Sequence, residues 1–159
     1  NPRQEETPMR SIFYLTVALA FVHLAGGATA QESRAGSIQI MHPWARATTT
    51  DATAVYVTIV NTPAKPDRLL KATADIGHAS IHEMKEESGV ARMRSVDSLV
   101  IPAKTEVSIQ PGGLHLMLTN LKQPLAEGSG FPMTLVFETA GEVRIDVQVR
   151  KAGSKSMKH

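Results

Sequence analysis

Hydrophobic and polar residues alternate with a period of two along most of this chain and nowhere sustain the 3.6-residue period of an amphipathic helix. Ser37-Ile38-Gln39-Ile40-Met41 reads as a strand that His42-Pro43-Trp44 ends, because Pro cannot donate to a sheet ladder. In the same pattern Met41 continues an inward series. The β-branched run Ala54-Val55-Tyr56-Val57-Thr58-Ile59-Val60, bounded by Asn61-Thr62-Pro63, reads as a central strand. Further strands are expected over 68–74, 79–85, 90–96, 99–101, 106–109, 114–118, 133–138 and 142–150. Turn signals separate them at Ser88-Gly89, Pro111-Gly112-Gly113, Glu127-Gly128-Ser129-Gly130 and Ala140-Gly141. Short strands punctuated in this way predict an all-β fold, an antiparallel β-sandwich, and no internal repeat interrupts the series.

The two ends depart from the alternation. Arg10 precedes an apolar run from Ile12 to Val22, and small residues follow, ending in Ala28-Thr29-Ala30. A positive residue, a short apolar core and an Ala-x-Ala site make a secretory signal peptide over 9–30, too short before Gly26-Gly27 to span a bilayer. Translation is then expected from Met9, with residues 1–8 a start-site artefact, cleavage after Ala30 and a mature domain over 31–150. The Lys-, Ser- and Gly-rich tail 151–159 is expected to be disordered. No later segment is apolar enough to cross a membrane, so the expectation is an exported protein with no stable membrane insertion after cleavage.

Composition narrows the function. At 159 residues, 42% hydrophobic and 20% charged, the chain has the makings of one globular domain. Aromatics at 4% leave no stacking platform for nucleic acid, and the formal charge of +2 comes from scattered Lys and Arg rather than a basic stripe. The chain has no cysteine, which removes disulfides, thiol catalysis, Cys-based zinc sites and blue-copper centres. A phosphate-binding loop, a Gly-x-Ser-x-Gly elbow and a His-Glu-x-x-His helix are also missing. The adjacent pair Glu86-Glu87 reads as a solvated hairpin tip, so the chain is not expected to be an enzyme.

The stretch Gly113-Leu114-His115-Leu116-Met117-Leu118 carries the first chemical signal. Strand side chains alternate between faces, so its leucines face the core while His115 and Met117 share the outward face, about 6 to 7 Å apart. An apolar thioether has little reason to sit in water beside a histidine. A second group lies in 81–93, which reads as a hairpin. With Glu87-Ser88 as its loop His82 lies opposite Met93, and with Ser88-Gly89 Met84 takes that place. Either register leaves His82, Met84 and Met93 on one face. Neutral, polarisable thioethers bind Ca²⁺ and Mg²⁺ poorly, and zinc prefers His, Cys or carboxylate. Two imidazoles with two thioethers favour Cu(I), and thioethers survive in an oxidising compartment where cysteine would form disulfides.

The spacing His82, ten residues, Met93, twenty-one residues, His115, one residue, Met117 resembles the His-x10-Met-x21-His-x-Met motif of the PCuAC-type periplasmic copper chaperones. Ile81-His82-Glu83-Met84, Pro111-Gly112-Gly113-Leu114-His115-Leu116-Met117-Leu118, Leu121-Lys122-Gln123-Pro124-Leu125 and Phe137-Glu138-Thr139-Ala140-Gly141 resemble that family too. The resemblance implies a cupredoxin-like Greek-key antiparallel β-sandwich, with His82, Met93, His115 and Met117 as Cu(I) ligands and Met84 as an auxiliary ligand. It also implies a monomer in the periplasm that delivers copper to the CuA site of cytochrome c oxidase, through an oxidase subunit or another copper chaperone. Some members hold a second copper, as Cu(II), in a His- and Met-rich tail; here the tail offers only Met157 and His159. The alternative is an exported module for copper storage or homeostasis without oxidase delivery. His42 reads as structural, His78 as an exposed loop residue, Met133 as core, and Arg92 and Arg94 as solvated charges or partner contacts.

Overall fold

The computed structural model describes residues 33–154. The expected leader over 9–30, the eight residues before it, and Met157 and His159 in the tail lie outside the described residues. Eleven strands carry the fold: β1 Ser33–Ala35, β2 Ile38–Arg46, β3 Thr53–Asn61, β4 Asp67–Thr73, β5 His78–Glu87, β6 Val90–Val96, β7 Leu99–Ile101, β8 Thr105–Ile109, β9 Leu114–Thr119, β10 Gly130–Phe137 and β11 Gly141–Arg150. They pair in the order β6-β5-β9-β3-β2-β11-β10-β4-β7, with β1 added to β2 and β8 to β3. Among the described residues no helix is long and apolar enough to cross a membrane.

Alternation sets the layers. On β10, Phe131, Met133, Leu135 and Phe137 are buried, and on β11 Val143, Ile145, Val147 and Val149 are, with more exposed residues between them. These inward rows meet Ile38 and Ile40 of β2, Val55, Val57 and Ile59 of β3, Ile81 of β5 and Leu116 and Leu118 of β9 in one core. The expected all-β sandwich is therefore present, and Met133 is in its core at 1% exposure. Strand β3 is central, as its β-branched run predicts: it pairs with β2 on one side and with both β9 and β8 on the other. One pairing departs from the antiparallel expectation, since β11 lies parallel to β2 over Gln148↔Trp44 to Arg150↔Arg46.

Strand β2 corrects two expectations. It does not end at His42-Pro43-Trp44 but runs on to Arg46 through a bulge. The ladder with β3 steps from Met41↔Thr58 to Trp44↔Tyr56, so His42 and Pro43 together face the single residue Val57. The missing N–H of Pro43 falls where no ladder bond is needed, and His42 absorbs the kink with a φ of 52°. Met41 points away from the inward series of Ile38 and Ile40 and is half-buried. The sequence expectation gave no strand to Ser33–Ala35, whose polar side chains hide a short pairing with Ile38–Ile40.

Candidate metal centre

Three adjacent strands build the site on the face of the sheet away from the core. The β5–β6 hairpin turns on Ser88 and Gly89, both at positive φ (55° and 78°), which is the two-residue turn that fits the twist of the flanking strands. Of the two registers open to the sequence, the fold takes the one that sets Met84 opposite Met93 and His82 opposite Ser95. On its other side β5 pairs with β9, which sets His82 directly opposite His115 and Ser80 opposite Met117. His82 thus occupies the middle of a small grid, with His115 beside it and Met93 and Met117 at opposite diagonals. Met84 stands on the β5 position between the strand of Met93 and that of His115.

The two imidazoles lie 5.8 Å apart between ring centres, tilted by 39°. Imidazoles that share one metal ion at nitrogen–metal distances of about 2 Å have ring centres within roughly 6.5 Å of each other, so the pair is close enough to hold one ion. His115 Nδ1 donates to the Gly113 carbonyl at 3.1 Å, and His82 Nε2 lies 3.0 Å from the Ser80 hydroxyl. His82 Nδ1 is buried with no hydrogen-bond partner. An orphaned imidazole nitrogen is uncommon in a folded chain and fits a group that awaits a cation. Burial of the His82 ring pushes its pKa below the ordinary value, and the neighbouring His115 charge lowers it further. Both effects favour the neutral ring, which is the ligand form.

Met84, Met93, His115 and Met117 line one cavity of about 400 Å³, which Arg46 and Tyr56 also line. Tyr56 packs against Trp44 at 4.6 Å between ring centres, and the Arg46 guanidinium carbon lies 5.5 Å from the centre of the Tyr56 ring. Burial raises the Tyr56 pKa, with Arg46 acting in the opposite sense. The exposures of the set are unequal. Met93 is 50% exposed, whereas His115, expected to face outward, is only 7% exposed. Ala47, Thr48, Ala52 and Thr53 of the 47–53 segment and Ala152 line the same cavity. Ala152 belongs to a turn in which Ser154 N–H donates to the Lys151 carbonyl at 2.9 Å.

Arg46, Tyr56 and Ser80 adjoin the set without having been singled out from the sequence. Ser80 carried a signal, since it lies two residues before His82 on the same strand face. Tyr56 reaches the site through pairing of β3 with β9, and Arg46 through pairing of β2 with β3, and no spacing announces either. His42 sits in the β2 bulge, and His78 is exposed at the start of β5. Arg92 and Arg94 lie on the opposite face of the hairpin from Met93, and both pair with Glu87. Among the described residues no group of three His, Asp or Glu converges, so any ion held here meets mainly thioether and imidazole donors.

The chain matches the family model described as "Putative lipoprotein LpqE-like" over residues 38–149. It is similar to the solved structure titled "Copper-bound PCuAC domain from PmoF2", with 31% identity and a TM-score of 0.66, covering 76% of this chain and 98% of that one. It is also similar to "Solution structure of CuI-DR1885 from Deinococcus Radiodurans", with 27% identity and a TM-score of 0.60 over 82% of this chain and 87% of that one. Among curated relatives, "Uncharacterized protein RP573" of Rickettsia prowazekii is 31% identical over 120 residues, 71% of this chain and 66% of that protein.

Proposed function

Because the chain belongs to the LpqE-like family, of PCuAC type and cupredoxin-like fold, we propose that it is an exported periplasmic copper chaperone that carries one Cu(I). In this reading His82, Met93, His115 and Met117 are the ligands, Met84 is an auxiliary thioether, and the acceptor is the CuA site of cytochrome c oxidase. The observation that supports it most is the cross-strand grid: residues far apart in sequence bring two imidazoles to 5.8 Å and turn thioethers of two further strand positions onto the same face.

The donor set suits a carrier. Four neutral ligands leave the single charge of Cu(I) uncompensated, so binding needs no buried anion and releases no proton from a thiol. A thiolate-rich acceptor binds the same soft ion more strongly, which makes transfer to it downhill. Met93, half exposed on the terminal strand of the sheet order, is the ligand an incoming donor reaches first. Exchange then starts at one edge while the buried His115 still holds the ion.

Titration with Cu(I) against a chromophoric chelator tests the reading. Stoichiometric uptake by the wild-type chain is expected, lost when Met93 and Met117 are both changed to Ala; unchanged binding in the double variant would sink the ligand assignment. Mixing the loaded chain with an apo CuA domain tests delivery. Copper retained by the carrier would leave storage, not transfer, as its role.

A further inference from the structure

The two histidines of the site are held in different ways, and the difference bears on which nitrogen each can offer. The Gly113 carbonyl can only accept, so the His115 nitrogen 3.1 Å from it, Nδ1, carries the hydrogen and the lone pair lies on Nε2. On His82 the engaged nitrogen is the other one, Nε2, at 3.0 Å from the Ser80 hydroxyl, and Nδ1 is buried without a partner.

We propose that Ser80 is a positioning residue of the metal site: it holds His82 through Nε2 so that Nδ1 faces the ion, while His115 meets the same ion through Nε2. This rests on the copper reading above. A neutral imidazole has one N–H and one lone pair, and a hydroxyl that accepts from Nε2–H puts the lone pair on Nδ1. That nitrogen is buried without a hydrogen bond, and the cross-strand register sets its ring between His115 on β9 and Ser95 on β6. No neighbouring side chain bonds to it in place of the ion. Ser95 stands opposite His82 on β6, while Arg92 and Arg94 lie on the other face of the hairpin. Ser80 is not committed to dense packing either, since it borders a separate small cavity of about 160 Å³ together with Lys71, Ser95 and Asp97. That space lets Ser80→Ala and Ser80→Thr be made without crowding the core.

Fixing a ligand's tautomer through its remote nitrogen is a recurrent use of outer-shell hydrogen bonds, and removing such a partner weakens metal binding by about 10- to 100-fold. The test is long-range ¹H–¹⁵N correlation of the histidine rings, with Cu(I) itself as the probe under anaerobic conditions. The apo chain is expected to show His82 with its hydrogen on Nε2 and His115 with its hydrogen on Nδ1. Addition of Cu(I) is expected to shift Nδ1 of His82 and Nε2 of His115. Ser80→Ala is expected to mix the His82 tautomers and weaken Cu(I) binding by the same 10- to 100-fold, and Ser80→Thr to restore both. Backbone amide spectra report whether either variant keeps the fold. A Cu(I)-dependent shift at His82 Nε2, or a Ser80→Ala chain with unchanged tautomer and affinity, overturns the proposal while leaving the copper site intact. No response to Cu(I) at either ring overturns the site itself and this proposal with it.

Discussion

At the scale of single residues, access divides the proposed ligands. Met93 is half exposed and His115 is buried, so equal losses of copper affinity should come with unequal losses of stability. Met93→Leu is expected to weaken Cu(I) binding while leaving the urea midpoint of the apo chain nearly unchanged, because an exposed thioether contributes little packing. His115→Ala removes a buried ring and its bond to the Gly113 carbonyl, which keeps the Met84 N–H, so it should lower affinity and also destabilise by about 1–3 kcal/mol. Equal stability effects would contradict this division. His82 adds a pH term. Its folded pKa lies below its ordinary value through burial and then the His115 charge, so on acidification the unfolded chain takes up the proton first. The stability present above the unfolded pKa of about 6.5 is therefore lost as pH falls through the folded value. The charged hairpin residues Glu83, Lys85, Glu87, Arg92 and Arg94 lie on the other face; Glu86 shares the face of His82 but stands beyond Met84 towards the turn, and His115 is the residue directly opposite His82 on β9. Urea midpoints between about pH 7.5 and about pH 5 should fall for the wild-type chain and fall less for His82→Gln.

At the scale of elements, the hairpin register decides which thioethers meet, and the turn decides the register. Ser88 occupies a left-handed conformation that Asn adopts more readily, and Asn-Gly is the preferred pair for this turn. Ser88→Asn should slow amide exchange along β6. Gly89→Val should speed it and destabilise by about 1–2 kcal/mol: a side chain at Gly89 meets open space, so the whole cost is backbone strain at φ 78°. Faster exchange in Ser88→Asn would show that the turn does not control the pairing. The same elements show where reading from sequence stops. Alternation in 114–118 fixed the leucine side of β9, and Leu116 and Leu118 are indeed fully buried. It could not foresee that His115 on the opposite side is buried too, because that side faces a cavity lined also by residues of the 47–53 segment and by Ala152, which no local pattern ties to β9. Both hairpin registers satisfied the face pattern, since sliding the turn by one residue moves the opposite partner by two and keeps the face. Pro43 misled for a related reason: the rule that Pro stops a ladder holds within regular pairing, and the bulge at His42-Pro43 suspends it. The pairing of β2 with β11 was equally silent, since periodicity records a face and never a partner.

At the scale of the whole molecule, the site is the outer surface of a sheet whose inner surface is the core, so the fold can be weakened with or without disturbing the site. Asp67 weakens it alone. Its carboxylate is buried and accepts the backbone N–H groups of Arg68 at 2.7 Å, Thr139 at 2.9 Å and Ala140 at 3.0 Å, tying the start of β4 to the turn between β10 and β11. Removing it strands those donors, and Asp67→Ala should cost about 3 kcal/mol, within the range for lost bonds to a charged group. None of these partners lines the cavity of the proposed ligands, so Cu(I) affinity measured where the variant is still folded should match the wild type. Leu116→Ala weakens both. Leu116 lies between His115 and Met117, fully buried on the core side of β9, and its truncation should cost about 2–5 kcal/mol. Because the same short strand carries the proposed ligands His115 and Met117 on its other side, relaxation around the cavity should loosen their spacing and weaken Cu(I) binding as well. With no disulfide to hold the chain, stability and site precision both rest on this one core. Chelator competition on the two variants at matched folded fractions separates the cases: equal affinity losses would mean that the site follows global stability rather than the β9 strand beneath it.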